Sequence, residues 1–206
     1  MHQSTSVGSL SLYWDTSDLG ELVHQFSIIM KTITTPLDKQ QIHQLEVGDE
    51  VLLSGTIYTA RDQAHVRLVE ALTAGKRLPV DLKGQIIYYC GPTKTAPGRS
   101  IGSCGPTTSR RMDEFTPYLL KSGLKAMIGK GDCSRDVVDA IRKYKAVYFL
   151  TYAGCGALMS KYVKSARIAA FPDLGPESIY KLKVVNFPLI VAIDSSGKNI
   201  YKRAGR

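Results

Sequence analysis

The chain has 206 residues, 44% hydrophobic and 22% charged, and contains no low-complexity run, so it can bury one sizeable core as a soluble globular protein. Its formal net charge is +9, but lysine and arginine are spread along the chain and are not gathered into runs interleaved with aromatic residues. This argues against a nucleic-acid binder. An acidic substrate or an acidic partner protein explains the excess charge at least as well.

Residues 1–29 differ in charge from the rest of the chain. They contain no lysine or arginine, and they carry Asp15, Asp18 and Glu21. Two interpretations stay open: this segment is an added arm, or Met30 is the genuine start of the functional domain. The segment also lacks an apolar stretch long enough for a signal peptide or a membrane helix, so we expect a cytoplasmic protein without membrane attachment.

From residue 30 onward, segments typical of strands alternate with segments typical of helices, and no repeat or linker divides them. This alternation predicts a single α/β domain over residues 30–206. Its sheet system should be mixed and partly parallel, because β-hairpin signals in the first half precede strand–helix exchange in the second. Thr59 and Ser134 are predicted to cap helices. In chain order, the predicted strands are 31–36, 51–58, 85–90, 124–128, 146–152, 168–171 and 187–193, and the predicted helices include 59–75, 134–144, 154–165 and 176–182.

The motif Thr59-Ala60-Arg61-Asp62-Gln63-Ala64-His65 lies at a predicted strand-to-helix junction. An arginine in the first turn of a helix can bind a carboxylate through two parallel hydrogen bonds. His65 lies one turn later and is suited to proton exchange or to orienting a ligand. It also shares the apolar helical spacing of Leu68 and Leu72. We therefore interpret His65 as a packed, hydrogen-bonded core histidine and Arg61 as a candidate anion ligand.

The segment Gly102-Ser103-Cys104-Gly105-Pro106-Thr107-Thr108-Ser109-Arg110-Arg111-Met112-Asp113 combines a turn, two threonine hydroxyls and a guanidinium group. We predict a helix that begins at Pro106 and is capped by Thr107 or Thr108. Arg111 would then share a helix face with both threonines, beside the positive end of the dipole. Such donors are typical of a carboxylate-binding site. The alternative is an ordinary capped surface helix with a spare arginine.

Lys130 lies in a Gly-Lys-Gly turn directly after a predicted buried strand. In α/β sheets, residues at the carboxyl ends of strands commonly bind ligands, so Lys130 is a further candidate anion ligand. A flexible, exposed turn is the alternative interpretation. The surrounding segment, 123–131, is not a P-loop, because its glycine spacing is one residue too long and Gly131 stands where serine or threonine would hold magnesium.

Four cysteines, Cys90, Cys104, Cys133 and Cys155, lie far apart in the sequence. A zinc or iron–sulfur site contained in one chain usually shows closely spaced pairs such as C-x₂-C. We therefore expect four separate, reduced and mostly buried thiols, and no metal ligands in this chain.

Together these segments resemble a known family, the β subunit or C-terminal domain of class I iron–sulfur fumarate hydratases and the related L-tartrate dehydratases. The similarity extends along most of residues 30–203. Its Gly-Pro-Thr-Thr-x-x-Arg-Met block is specific on its own. The resemblance rests on five ordered blocks, which are 59–65, 102–113, 128–131, 174–178 and 187–194.

The resemblance implies a swivelling β/β/α domain that works beside a larger α subunit holding a [4Fe–4S] cluster, as a hetero-oligomer or a dimer of αβ pairs. The implied reaction is the reversible dehydration of (S)-malate to fumarate, with the cluster iron acting as a Lewis acid on the departing hydroxyl. The matching positions place Arg61, Thr107, Thr108, Arg111 and Lys130 at the dicarboxylate. Thr107 corresponds to the family's candidate base.

The chain shares features with both branches of this family. The run Tyr152-Ala153-Gly154-Cys155-Gly156-Ala157-Leu158 is closer to tartrate dehydratases, whereas Ala60 and Asp113 are closer to fumarate hydratases. We therefore predict a fumarate hydratase β subunit, inactive without its α subunit, with L-tartrate dehydratase as the alternative. An alternative of another class is a non-catalytic module that binds a small anion or an acidic protein.

Overall fold

The structure is a computed structural model and describes residues 30–203. The prediction that residues 1–29 form an added arm lies outside this range. The strands of the described part are β1 (Lys31–Thr34), β2 (Glu50–Thr59), β3 (Ile86–Tyr88), β4 (Ala126–Gly129), β5 (Val147–Leu150), β6 (Val163–Ala170) and β7 (Ile179–Ile193). The α-helices are α1 (Lys39–His43), α2 (Asp62–Thr73), α3 (Thr116–Lys121), α4 (Arg135–Tyr144), α5 (Gly156–Met159) and α6 (Ile200–Arg203), and 3₁₀ turns span Ser109–Met112, Ser160–Tyr162 and Pro172–Glu177.

Strands β1 to β5 pair in parallel, in chain order. Their short central strands are buried on both faces, as parallel strands covered by other layers usually are. Parallel pairing brings the carboxyl ends of β2, β3, β4 and β5 to one edge of the sheet. The loops that carry the candidate site residues leave from this edge.

Strand β7 makes the sheet mixed. It is antiparallel to β2, β5 and β6: its first half lies between β2 and β6, and its end pairs with β5. Pairing therefore runs from β2 through β3, β4, β5 and β7 and returns to β2. This closed circuit confirms the predicted mixed α/β architecture.

The side chains of each strand point alternately to the two faces of the sheet, and each face carries one apolar cluster. One contains Ile86, Tyr88 and the residues in phase with them on the other strands. The second contains the intervening Ile87 and Tyr89, packed against apolar faces of α2, α3 and α4. None of the helices in residues 30–203 has the length and apolar character that crossing a bilayer requires.

The structure confirms Ser134 as a helix cap, since its side chain accepts a hydrogen bond from the backbone N–H of Val137 at 3.4 Å. The prediction of Thr59 as a cap is wrong, because α2 begins at Asp62 and Arg61 holds the cap position without a side-chain hydrogen bond. The Thr59 hydroxyl instead accepts the backbone N–H of Tyr180 at 3.0 Å. It therefore ties β2 to β7.

Two predicted helices in the second half are also wrong. The helix predicted over 154–165 stops at Met159 with a 3₁₀ turn after it, and the chain then forms β6. The helix predicted over 176–182 is instead the end of a 3₁₀ turn and the start of β7. The reason in both cases is the antiparallel pairing of β6 with β7, a tertiary contact that overrides the local helical pattern.

Candidate active site

The site residues are brought to the carboxyl edge of the sheet by three consecutive parallel strands. Arg61 lies two residues beyond the end of β2, and Lys130 directly follows β4. Between them, the chain leaving β3 passes through Tyr89 and Gly91. The carboxyl edge of parallel strands is where α/β proteins commonly bind their ligands.

Residues 107–109 extend the sheet beyond β3 and β4. The N–H of Thr107 donates to the carbonyl of Tyr89 at 2.6 Å, and the N–H of Lys130 donates to the carbonyl of Thr107 at 3.3 Å. The N–H of Ser109 donates in turn to the carbonyl of Lys130 at 2.9 Å. Thr108 and Lys130 form a parallel β-bridge. Backbone pairing therefore brings both threonines next to Lys130.

The prediction of a helix beginning at Pro106 is wrong for the same reason. Thr107 and Thr108 are extended because their backbone pairs with neighbouring strands, so a helix starts only with the 3₁₀ turn at Ser109. Thr108 occupies the cap position but makes no side-chain cap hydrogen bond. No α-helix begins at Thr107 or Thr108, so the helix dipole that was predicted to favour an anion there is missing. Arg111 is instead joined to Thr108 through its own N–H, which lies 3.3 Å from the Thr108 carbonyl.

A network of buried hydroxyl groups holds the residues next to the Thr108–Lys130 bridge. The hydroxyl of Tyr148 donates to the carbonyl of Gly131 at 2.8 Å and lies 2.5 Å from the hydroxyl of Ser109, which must then be the donor between the two. Burial raises the pKa of Tyr148, so the phenol stays protonated. A Cβ at Gly129 would lie 2.2 Å from Ser109 Oγ. Only glycine at position 129 allows this network.

Arg61 is held by packing and by two carboxylates. Its side chain crosses Gly91, where an added Cβ would lie 2.9 Å from Arg61 Cδ. Its Nη2 atom lies 3.6 Å from Asp62 Oδ2 and 3.7 Å from Glu177 Oε1. Its Nε is buried without a hydrogen-bond partner among residues 30–203. The guanidinium is therefore oriented, and only 23% of the side chain is exposed.

Arg111 makes a bidentate ion pair with Asp62. Its Nε donates to Oδ1 at 2.9 Å and its Nη2 donates to Oδ2 at 2.8 Å. Half of the Arg111 side chain, 50%, remains exposed. Asp62 therefore links Arg111 with Arg61, although the two arginines come from different parts of the chain.

The three cations of the candidate site outnumber the carboxylates paired with them. Arg61, Arg111 and Lys130 are cations, and the carboxylates that pair with the two arginines are Asp62 and Glu177. None of the ion pairs among residues 30–203 includes Lys130. An anionic group that meets Lys130 therefore does not have to displace a protein carboxylate from it.

His65 is a core residue, as predicted. Its Nδ1 lies 2.8 Å from the carbonyl of Arg61, and its ring packs against Tyr89 and Phe115. Burial lowers its pKa from 6.5 to about 4, while the hydrogen bond to Arg61 and the charge of Asp62 act in the opposite direction. His65 is therefore neutral near pH 7, with Nδ1–H as the donor to the carbonyl.

The cysteines do not form a ligand set for an iron–sulfur cluster. Cys90, Cys104 and Cys133 are buried, Cys155 is exposed, and all four are free thiols. Within residues 30–203, no three histidine, cysteine or acidic side chains come together as a metal site would require. The described residues do not fit a resident cluster.

Sequence reasoning missed the two carboxylates that hold the arginines. Asp62 is part of the Thr59–His65 motif and Glu177 is part of the block 174–178, but neither received a role. Glu177 Oε2 also accepts the backbone N–H of Gln63 at 2.9 Å, at the first turn of α2. The signal available in the sequence was the direct adjacency of Arg61 and Asp62.

Comparisons with known proteins show which family this chain belongs to. The family model described as Fumarase C-terminus matches residues 13–204. The putative L(+)-tartrate dehydratase subunit beta of Methanocaldococcus jannaschii is 40% identical over 176 residues, which cover 82% of this chain and 90% of the relative. The L(+)-tartrate dehydratase subunit beta of Escherichia coli is 35% identical over 175 residues, covering 82% of this chain and 86% of the relative.

The fumarate hydratases matched by this chain are much longer. Fumarate hydratase 2 of Leishmania major is 35% identical over 190 residues, which cover 90% of this chain but 34% of the relative. The anaerobic class I fumarate hydratase of Escherichia coli is 38% identical over 165 residues, covering 79% of this chain and 30% of the relative. The chain thus spans about a third of these enzymes and nearly all of the tartrate dehydratase β subunits. The resemblance seen in its motifs is confirmed, and the chain belongs to the Fumarase C-terminus family of hydro-lyases.

Proposed function

We propose that this chain is the β subunit of a hydro-lyase that interconverts (S)-malate with fumarate and water, and that it completes a dicarboxylate site with a cluster-bearing α subunit. One observation carries the proposal. Arg61 and Arg111 are joined through Asp62 at the same sheet edge where Thr107, Thr108 and Lys130 are paired. The family membership supports the reaction class.

The cations at this edge bind the two carboxylates of the substrate. Arg61, Arg111 and Lys130 outnumber Asp62 and Glu177, so the edge attracts a dianion. When the C–H bond next to a carboxylate breaks, negative charge develops on that carboxylate. Guanidinium and ammonium groups already in place stabilise this charge and lower the barrier.

Thr107 and Thr108 supply hydroxyl groups beside these cations. Each hydroxyl can donate a hydrogen bond to a substrate oxygen. Thr107 is also the candidate base, a role for which a neutral hydroxyl needs activation by nearby positive charge. Its backbone is fixed on both sides by hydrogen bonds to Tyr89 and Lys130, which holds its side chain near one position.

A [4Fe–4S] cluster in the α subunit would supply a Lewis-acidic iron for the departing hydroxyl. The described residues contain no ligand set for it, so the proposal assigns all cluster ligands to the partner. This chain then contributes substrate binding and proton handling only. It is inactive alone.

L-tartrate dehydratase is the second candidate, because a relative that is 40% identical to this chain and another that is 35% identical are tartrate dehydratase β subunits. The two substrates differ by one hydroxyl group. A non-catalytic anion-binding module is the candidate from another class, and it would keep the arginine cluster without needing the partner.

The experiment is an anaerobic assay of the chain alone and mixed with its cluster-bearing partner, following fumarate formed from (S)-malate and oxaloacetate formed from L-tartrate. Activity in the mixture alone supports a split-site dehydratase, and the preferred substrate chooses between the two candidates. No activity with an intact cluster present would favour the binding module.

We also infer that residues 30–206 form one working domain that swivels against the α subunit, in the cytoplasm, with residues 1–29 as an added arm. The closed circuit of β2, β3, β4, β5 and β7 supports a single unit. The site lies at one edge of that unit. A movement of the whole domain would therefore open or close the site against a partner.

A further inference from the structure

One carboxylate, that of Asp62, contacts both arginines of the candidate site. It holds Arg111 through two hydrogen bonds of 2.9 and 2.8 Å. The same Oδ2 atom lies 3.6 Å from Nη2 of Arg61. Asp62 therefore stands between two guanidinium groups that would otherwise repel each other.

The two ends of this ion pair differ in how firmly the structure holds them. Asp62 begins α2, a helix anchored by buried Ala64, His65 and Leu68. Arg111 lies on a single 3₁₀ turn, and 50% of its side chain is exposed. Packing thus fixes the carboxylate, while the long arginine side chain depends on the ion pair for one conformation.

The geometry of the pair leaves Arg111 able to bind a ligand. Asp62 occupies the edge of the guanidinium formed by Nε and Nη2. A guanidinium has five N–H donors, so both hydrogens of Nη1 and one of Nη2 remain. One hydrogen from each of these two nitrogens forms the second edge, which matches a carboxylate in the same bidentate way.

We propose that Asp62 is a positioning residue, which fixes the separation and orientation of Arg111 and Arg61 so that they meet the carboxylates of the substrate together. Glu177 assists from the other side, 3.7 Å from Nη2 of Arg61. The inference rests on the proposed function for its effect on turnover. The ordering of Arg111 by Asp62 is a property of this chain alone.

The negative charge of Asp62 gives the role a distinctive kinetic signature. A carboxylate near a dianionic substrate weakens its ground-state attraction to the site, whereas a correctly placed Arg111 stabilises the transition state. Removing the charge while keeping the shape, in Asp62→Asn, should therefore lower kcat without raising KM. Partial unfolding would also lower the apparent kcat at unchanged KM, so the kinetic result is read together with the unfolding temperature and the ordering of Arg111.

The chain offers a matched control. Arg67, also on α2, makes a bidentate ion pair with Asp173 at 3.0 and 2.5 Å, on an exposed surface outside the candidate site. Asp173→Asn removes the same charge from the same kind of pair. Both variants remove one carboxylate from a bidentate pair with arginine, and only Asp62→Asn does so at the candidate site.

The first readout is the ¹⁵Nε–¹Hε signal of Arg111 in the full chain without substrate. We expect an ordered, slowly exchanging signal in the wild-type chain and in Asp173→Asn, and a motionally averaged signal in Asp62→Asn. An equally ordered Arg111 in Asp62→Asn would overturn the inference. This readout does not depend on any enzymatic activity.

The second readout is kinetic, with the chain in complex with its α subunit. We expect Asp62→Asn to lose about 10- to 100-fold in kcat, because small misplacement of a binding group costs this much. KM should not rise, and Asp173→Asn should stay within about two-fold of wild type. Wild-type kcat in Asp62→Asn would overturn the inference. Inactivity of the wild-type complex would count against the proposed function, and the spectroscopic readout would still decide the role of Asp62.

A further variant guards against loss of folding. If Asp62→Asn unfolds at a much lower temperature than Asp173→Asn, then Asp62→Glu replaces it. Glutamate keeps the charge but moves the carboxylate by one methylene. We expect a stable chain with a smaller loss of kcat, and full activity in Asp62→Glu would show that the position of the carboxylate is unimportant.

Discussion

Thr108 and Lys130 are partners in a parallel β-bridge, and the carbonyl of Lys130 accepts the N–H of Ser109 at 2.9 Å. This bridge places the backbone of a threonine beside that of a lysine at the end of β4. Both belong to loops, yet their backbone is paired as in a sheet. The backbone of the candidate site is therefore rigid at this point, which helps to hold a small ligand in one orientation.

Gly129→Ala should destabilise the chain, because the new Cβ would lie 2.2 Å from Ser109 Oγ and 3.0 Å from Tyr89 Cδ2. We expect a loss of about 1–3 kcal/mol in the free energy of unfolding, measured by urea denaturation. Gly105→Ala is the matched control, since its Cβ would meet nothing closer than 3.6 Å. Adding Ser109→Ala to Gly129→Ala should restore part of the loss. Equal stability of the two single variants would contradict the packing argument.

Arg111→Ala should abolish most turnover and leave the fold intact. We expect kcat/KM of the complex to fall about 100- to 1000-fold, because a donor aimed at developing charge is lost. The Arg111 side chain is half exposed, so the loss of its pair with Asp62 should change the unfolding free energy by less than about 1 kcal/mol. Arg110→Ala is the control, because Arg110 is an exposed neighbour outside all ion pairs among residues 30–203. Wild-type activity in Arg111→Ala would contradict the proposal that Arg111 binds the substrate.

His65 should make stability depend on pH below neutrality. Its pKa is lowered from 6.5 to about 4 in the folded chain, so between these values the unfolded chain binds a proton that the folded chain does not. Stability is therefore greatest above pH 6.5 and falls as the pH decreases towards 4, by up to about 3 kcal/mol. The measurement is urea denaturation at a series of pH values.

His65→Asn is the comparison for this pH dependence. Asparagine places an amide donor near the position of Nδ1 and does not titrate, so the variant should lose stability less steeply over the same pH range. Its stability near pH 7 should be lower than that of the wild-type chain, because the aromatic packing against Tyr89 and Phe115 is lost. Parallel pH profiles for the two chains would show that His65 is not the titrating group.

Deleting residues 1–29, so that the chain starts at Met30, should leave activity and stability almost unchanged. The reason is that β1, which begins at Lys31, already pairs with β2 and completes the sheet. We expect kcat/KM of the complex within about two-fold of the full chain and an unfolding midpoint within about 2 °C. The family match begins at residue 13. Loss of activity would therefore assign residues 13–29 to the working domain.

The amino-acid sequence by itself determined the features that depend on near neighbours. The Ser134 cap of α4, the position of Lys130 after a buried strand and the packed state of His65 all follow from residues within one or two turns. The family motifs also lie in short continuous blocks. Such signals are local, and the structure confirms the three that depend on single elements.

Only the tertiary structure decided how those blocks meet. Thr107 and Thr108 are extended and not helical because their backbone pairs with Tyr89 and Lys130. Strands β6 and β7 form where helices were predicted because the two strands pair with each other. Asp62 reaches Arg111 across 49 positions of sequence. The free energy of these contacts comes from groups that are distant along the chain, so no local pattern of hydrophobicity or propensity contains them.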